Sequence, residues 1–124
     1  MEIIEINHIQ ITVPESALES SKRFYGAILG LEEIRRPDST SRRGGAWYLV
    51  GETELHLSVE DASVSNEASK RHICYLVGDL SDAESEFRRE GIEILPDERP
   101  IPGCARFYVR DPGGNKLEIA ELRL

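Results

Sequence analysis

Ile6-Asn7-His8-Ile9-Gln10-Ile11-Thr12-Val13 alternates strictly between polar and apolar residues from His8 onward. In an extended strand Ile9, Ile11 and Val13 fall on one side and His8, Gln10 and Thr12 on the other. A half-buried strand ordinarily turns its polar side to bulk water. Here that side carries an imidazole, an amide and a hydroxyl in a row. The same alternation returns in Glu54 to Val59, where Leu55, Leu57 and Val59 oppose Glu54, His56 and Ser58. It returns in Arg71 to Val77, where Ile73, Tyr75 and Val77 oppose His72, Cys74 and Leu76. It returns last in Asn115 to Ala120, where Leu117 and Ile119 oppose Lys116, Glu118 and Ala120.

The segments between these strands complete a repeated unit. After Pro14, which ends the first strand, Glu15 and Ser16 open a helix with an acidic first turn and a polar cap. Ala17, Leu18, Ser21, Phe24, Tyr25 and Ile28 form its buried stripe, and Gly30 caps its C-terminus. Leu31 to Arg35 and Ala46 to Val50 are strands flanking a polar loop from Pro37 to Gly45. Gly51-Glu52 is a tight turn into the next strand. Asp61 to Ser69 has no periodicity and is the linker. In the second half a helix runs from Ser81 to Glu90, with Ser81 and Glu84 as a capping box and Gly91 at its end. Ile92 to Leu95 and Ala105 to Arg110 are strands, and Asp111-Pro112-Gly113-Gly114 is a turn. The order strand, helix, strand, strand, strand thus occurs twice, in modules of about residues 1–60 and 70–124 within one domain.

The 124 residues are enough for a real core. A formal charge of −8 argues against nucleic acid, whose phosphates need a basic stripe. No apolar run approaches a membrane span, and no basic region followed by an apolar one opens the chain, so a cytoplasmic location and no membrane partner are expected. Cys74 and Cys104 lack metal-site spacing and are expected unpaired.

His8 and His72 hold one place in the two first strands, and His56 and Glu118 hold one place in the two last strands. A pseudo-twofold between the halves would bring all four together. Imidazole nitrogen and carboxylate oxygen suit nickel, zinc, iron, cobalt or manganese. Such a set leaves positions open for water or substrate, as a catalytic rather than a structural site does. Tyr48, Arg106 and Tyr108 are expected on the same polar side as walls of the cup, with Arg106 meeting a carboxylate or an oxyanion.

Phe24-Tyr25-x-x-x-Leu29-Gly30-Leu31 and Asp111-Pro112-Gly113-Gly114-Asn115-x-Leu117-Glu118 resemble two recurring motifs of the vicinal oxygen chelate superfamily. That superfamily includes glyoxalase I, extradiol dioxygenases, fosfomycin-resistance thiol transferases and bleomycin-binding proteins. The resemblance implies an α+β fold of paired βαβββ modules, forming a cupped mixed sheet around a divalent metal. His8, His72 and Glu118 match shared ligand positions. His56 stands where glyoxalase I of bacteria typically has glutamate, which leaves Glu118 as the principal base. Gln10 stands where the thiol transferases carry a catalytic threonine, and Tyr108 matches a substrate-contacting tyrosine.

Two functions follow from the resemblance. One is a glyoxalase I-like lyase or isomerase acting on a small oxygenated substrate, such as a thiol adduct. The metal would bind two vicinal oxygens and stabilise an enediolate, lowering the cost of removing the adjacent proton, with Glu118 as ligand and base. The other is an antibiotic-binding or resistance protein of the bleomycin or fosfomycin type; a small extradiol-type dioxygenase also fits His-His-Glu. The resemblance also implies a homodimer, in which an exchanged form would take His8 and His56 from one chain and His72 and Glu118 from the other.

Overall fold

The alternation of the four polar-sided strands appears in two four-stranded mixed sheets, each with helical structure on one face. The computed structural model describes residues 1–35, 44–62 and 64–122. The chain divides into two compact units, Met1–Val64 and Ser65–Leu124. The expected loop from Pro37 lies largely outside the described residues.

In the first unit β1 (His8–Val13) leads through a 3-10 turn (Glu15–Ala17) into α1 (Leu18–Arg23) and a π-helical turn (Phe24–Ile28). β2 (Glu32–Ile34), β3 (Gly45–Val50) and β4 (Thr53–Val59) follow. The strands lie in the order β1-β4-β3-β2, with β1 parallel to β4 and the other pairs antiparallel. The second unit repeats this with β5 (His72–Leu76), α2 (Leu80–Arg89), β6 (Leu95–Pro96), β7 (Cys104–Arg110) and β8 (Lys116–Leu122). Its order is β5-β8-β7-β6, and β5 is again parallel to β8.

One face of each sheet is the core. Val13, Tyr48, Leu55 and Leu57 are buried in the first unit, together with Phe24 and Tyr25 from the helical segment. In the second, Phe107, Val109, Leu117 and Ile119 are buried, and Phe87 of α2 meets Phe107 edge-on at 6.0 Å between ring centroids. Each such side chain contributes about 1.5–3 kcal/mol when fully buried. That contribution holds the apolar parity inward and leaves the other parity for polar groups.

The helix ends differ from expectation in instructive ways. The N-cap residue of the first helical segment is Pro14, whose side chain makes no cap bond, and the opening turn is closed by Ala17 N–H donating to the Pro14 carbonyl at 2.9 Å. The second helix starts one residue before Ser81, and Asp79, not Ser81, is its cap. Asp79 is extended and its carboxylate accepts from Asp82 N–H at 3.0 Å. Glu121 accepts from Leu80 N–H at 2.7 Å. Two carboxylates therefore meet the helix N-terminus, where anions are favoured. Both helical segments end with a glycine at positive φ, Gly30 at 70° and Gly91 at 74°. Ile92 N–H then donates to the Phe87 carbonyl at 2.9 Å. This closing bond of a Schellman turn uses Ile92, so the expected strand from Ile92 shrinks to Leu95–Pro96.

The linker is partly tied down: Asn66 Nδ2 donates to the Gly113 carbonyl at 3.2 Å. The turn it touches is organised by Asp111, which is buried. Asp111 Oδ1 accepts from the backbone N–H of Gly113 and of Asn115, and Oδ2 accepts from Asn115 Nδ2, each at 2.9 Å. Asp111→Ala strands both amides and is expected to cost about 2–4 kcal/mol. Urea unfolding of the two proteins measures it, and a loss within about 0.5 kcal/mol, typical of surface changes, would contradict this account of the turn.

Candidate metal centre

In the first unit strand register sets the polar face. β1 and β4 align Gln10 with His56, and β3 aligns Trp47 with His56. The Trp47 indole stacks on the His56 imidazole at 4.0 Å with 5° between planes, and the His8 ring meets the same indole at 5.2 Å and 62°. Gln10 Nε2 donates to Ser58 Oγ at 2.7 Å. Asn7 Oδ1 lies 2.9 Å from His8 Nδ1. A carbonyl oxygen can only accept, so with this amide orientation Nδ1 holds the proton of neutral His8 and Nε2 keeps its lone pair. His56 is buried, and burial first, then neighbouring His8, lowers its pKa. It is therefore a neutral imidazole at pH 7, the form that ligates metals.

In the second unit β8 places Glu118 between Cys74 on β5 and Tyr108 on β7. Glu118 is 7% exposed and its Oε1 is crowded. Tyr108 Oη donates to it at 3.1 Å and Arg106 Nη1 at 3.3 Å, while His72 Nε2 lies 3.4 Å away. The Cys74 thiol also bonds the carboxylate. Burial would raise the pKa of Glu118, but the bonds from Cys74 and Tyr108 and the charges of Arg106 and His72 outweigh it. The net shift is downward, so the buried carboxylate is charged at neutral pH.

His72 Nδ1 lies 2.9 Å from the Lys70 carbonyl, so Nδ1 carries the proton there too. In the neutral tautomer, then, an Nε2 lone pair faces a carboxylate oxygen. Two acceptors at that distance need a positive charge between them, a proton or a metal ion. Tying Nδ1 to a carbonyl while aiming Nε2 inward is how metal-binding histidines are oriented. The donor set of each unit thus suits a divalent ion. Among the described residues, no three His, Cys, Asp or Glu side chains are gathered into a cation cage.

Arg106 is held by carboxylates of its own chain. Its Nε donates to Asp97 Oδ2 at 2.9 Å, and its Nη2 to Asp97 Oδ1 at 3.4 Å and to the Arg99 carbonyl at 2.9 Å. The bond from Arg106 lowers the pKa of Asp97, and the same bond raises that of Arg106. Asp97 thereby fixes the guanidinium that steadies Glu118.

One residue expected in the cup is elsewhere. Tyr48 is on the core face, fully buried, opposite Leu55 and 6.1 Å from the Tyr25 ring. Burial, then Glu33 and Glu19, push its hydroxyl up to about 12. Trp47 takes the expected place. The signal was available: a two-residue turn at Gly51-Glu52 pairs Val50 with Thr53 and therefore Trp47 with His56. Asp97 was also missed, since a proline-rich loop carries no periodicity to aim it. Cys74, expected unpaired, is free and touches Glu118, with its thiol pushed up to about 12 by burial and then by that carboxylate.

Because the folded pKa of Glu118 is depressed, the unfolded chain takes up its proton first as pH falls. The stability that Glu118 contributes is present above about pH 4.5, the ordinary value, and is lost as pH falls through the folded pKa. Glu118→Gln is expected to flatten this part of the pH profile of unfolding free energy. An unaltered slope below pH 4.5 would contradict the network drawn around Oε1.

Residues 5–119 match the family described as the Glyoxalase/Bleomycin resistance protein/Dioxygenase superfamily. A glyoxalase family protein from Bacillus anthracis is 35% identical, with a TM-score of 0.85 over 99% of this chain and 98% of that one. Virulence protein STM3117 of Salmonella typhimurium is 25% identical across 98% of this chain and 86% of its own. A variant of FosX, a fosfomycin resistance protein of Listeria monocytogenes, was solved with Mn(II) and a dihydroxypropylphosphonic acid. It is 19% identical, with a TM-score of 0.82, covers 99% of this chain and 95% of that one, and shares the fold. With nearly its whole length matched, the chain belongs to the glyoxalase, bleomycin resistance protein and dioxygenase superfamily.

Proposed function

We propose that this protein is a metalloenzyme of the glyoxalase I type, a lyase or isomerase acting on a small substrate with two vicinal oxygens. The observation that carries the reading is the pair His72 Nε2 and Glu118 Oε1, 3.4 Å apart, with His72 Nδ1 held by the Lys70 carbonyl. His8, His56, His72 and Glu118 would hold the ion, with Glu118 also receiving the proton. A divalent cation supplies Lewis acidity toward the substrate oxygens, and nickel, zinc, iron, cobalt and manganese all accept this donor chemistry. Superfamily membership supports the reading, as does the Mn(II) held by the Listeria relative.

The rest of the work falls to the chain itself. His56, neutral at pH 7, offers a ligand that needs no deprotonation. Glu118 arrives already charged, and a carboxylate of depressed pKa is a better ligand than base. Proton transfer therefore requires Tyr108 and Arg106 to turn their hydrogen bonds away from Oε1. Tyr108 and Arg106 are then placed to contact the substrate, as is Gln10 beside His56.

A fosfomycin-type resistance reading is the alternative, and Tyr108 beside Glu118 is the observation that favours it. Turnover of thiohemiacetals by metal-loaded protein supports the glyoxalase-type reading. Turnover of fosfomycin alone would replace it, and tight binding of antibiotic without product would make the protein a binder. His8→Ala and His72→Ala are each expected to weaken metal binding by about tenfold or more, at unchanged circular dichroism. Unchanged metal content in both would sink the ligand assignment.

The homodimer belongs to the same proposal. β1 and β5 are edge strands, which invite pairing with another chain. Mixing His8→Ala with Glu118→Ala chains is expected to restore metal binding in a fraction of the dimers, if the ligand pairs come from two chains. No restoration places each set within one chain, and a monomer in sedimentation at micromolar concentration ends the dimer proposal.

A further inference from the structure

The second unit has a concave surface that is far more basic than the chain. A cavity of about 690 Å³ opens beside His72 and Tyr108. Lys70, Arg99, Arg106, Arg110 and Lys116 line it, against the acids Asp97 and Glu98. Asp97 is taken by Arg106. Among the described residues, Lys70, Arg99, Arg110 and Lys116 form no ion pair with a carboxylate. In a protein of formal charge −8, this concave surface has a local excess of positive charge.

Two of these cations are fixed in place. β8 sets Lys116 between His72 on β5 and Arg110 on β7, in one row across the sheet. Lys116 Nζ sits over the Tyr108 ring at 4.3 Å from its centroid, a cation–π contact. Arg110 Nη1 donates to the Gly114 carbonyl at 2.8 Å. Neither contact neutralises a charge. Like charges held side by side repel, and an anion between them relieves that repulsion. The next row of the same face carries Cys74, Glu118 and Tyr108.

We infer that Lys116 and Arg110, with Lys70 at the rim, form an oxyanion-binding subsite one row from Glu118, and that the substrate carries a carboxylate or a phospho-type group seated there. This rests on the proposed function only in calling the bound molecule a substrate; the subsite itself stands on the second unit alone.

The test uses inorganic phosphate and acetate as probes on the full-length protein stripped of metal with chelator, at pH 7 and constant ionic strength. Backbone amide resonances are followed by NMR. Phosphate or acetate is expected to shift the amides of Lys70, Arg110 and Lys116 saturably, and the tighter probe names the type of oxyanion. Lys116→Gln is expected to weaken that binding at least fivefold and Lys70→Gln, at an exposed position, about twofold, while Lys116→Arg retains it. Arg88→Gln, on the exposed flank of α2, is the control for diffuse charge. No saturable shift with either probe overturns the subsite, as does equal weakening by Arg88→Gln. Because the protein is metal-free, a failure of the metal ligands leaves this result untouched, and the two readings fail separately.

Discussion

The parallel pairing of the first and last strands of each unit is the constraint on which the rest depends. In the first unit it brings His56 beside Gln10, and in the second it brings Glu118 beside Cys74. A parallel pair cannot be closed by a hairpin, so the helix and two further strands must be threaded between its members. The third strand of each unit then lies antiparallel against the fourth and adds one aromatic side chain to the same row, Trp47 in one unit and Tyr108 in the other. Helix, core and turns serve to keep the parity of that row.

The two rows have diverged in chemistry while keeping their geometry. The first is uncharged: a stacked Trp47 and His56, with Gln10 bonded to Ser58. Burial first, then neighbouring His8, keeps the His56 imidazole neutral. The second is a charged chain running from Asp97 through Arg106 to Glu118, and on to His72. A buried carboxylate is tolerated there because donors converge on it. A neutral imidazole, that of His56, marks the row of the first unit, and a charged carboxylate, that of Glu118, marks the row of the second.

Much of this arrangement was legible before any coordinates. Strict alternation at His8, His56, His72 and Glu118 fixes their parity, because each strand also carries three or two branched apolar residues that must face a core. The repeat was legible because it matches those positions across both halves. Tyr48 was legible only through the turn, since Ala46 to Val50 is apolar throughout and carries no alternation; pairing with β4 across Gly51-Glu52 decides its face. The cap of α2 was misplaced because Asp79 and Ser81 both suit an N-cap, and Glu121 of β8, distant in sequence, helps anchor the start. Asp97 reaches Arg106 from a loop whose course no local pattern encodes.

The central claim is that His8, His56, His72 and Glu118 are ligands of one divalent ion. X-ray absorption at the metal edge of cobalt-substituted protein tests it most directly. The account predicts a shell of nitrogen and oxygen with outer scattering from three imidazoles, reduced to two in His72→Ala. A shell without imidazole scattering, or one dominated by sulfur from Cys74, would contradict it.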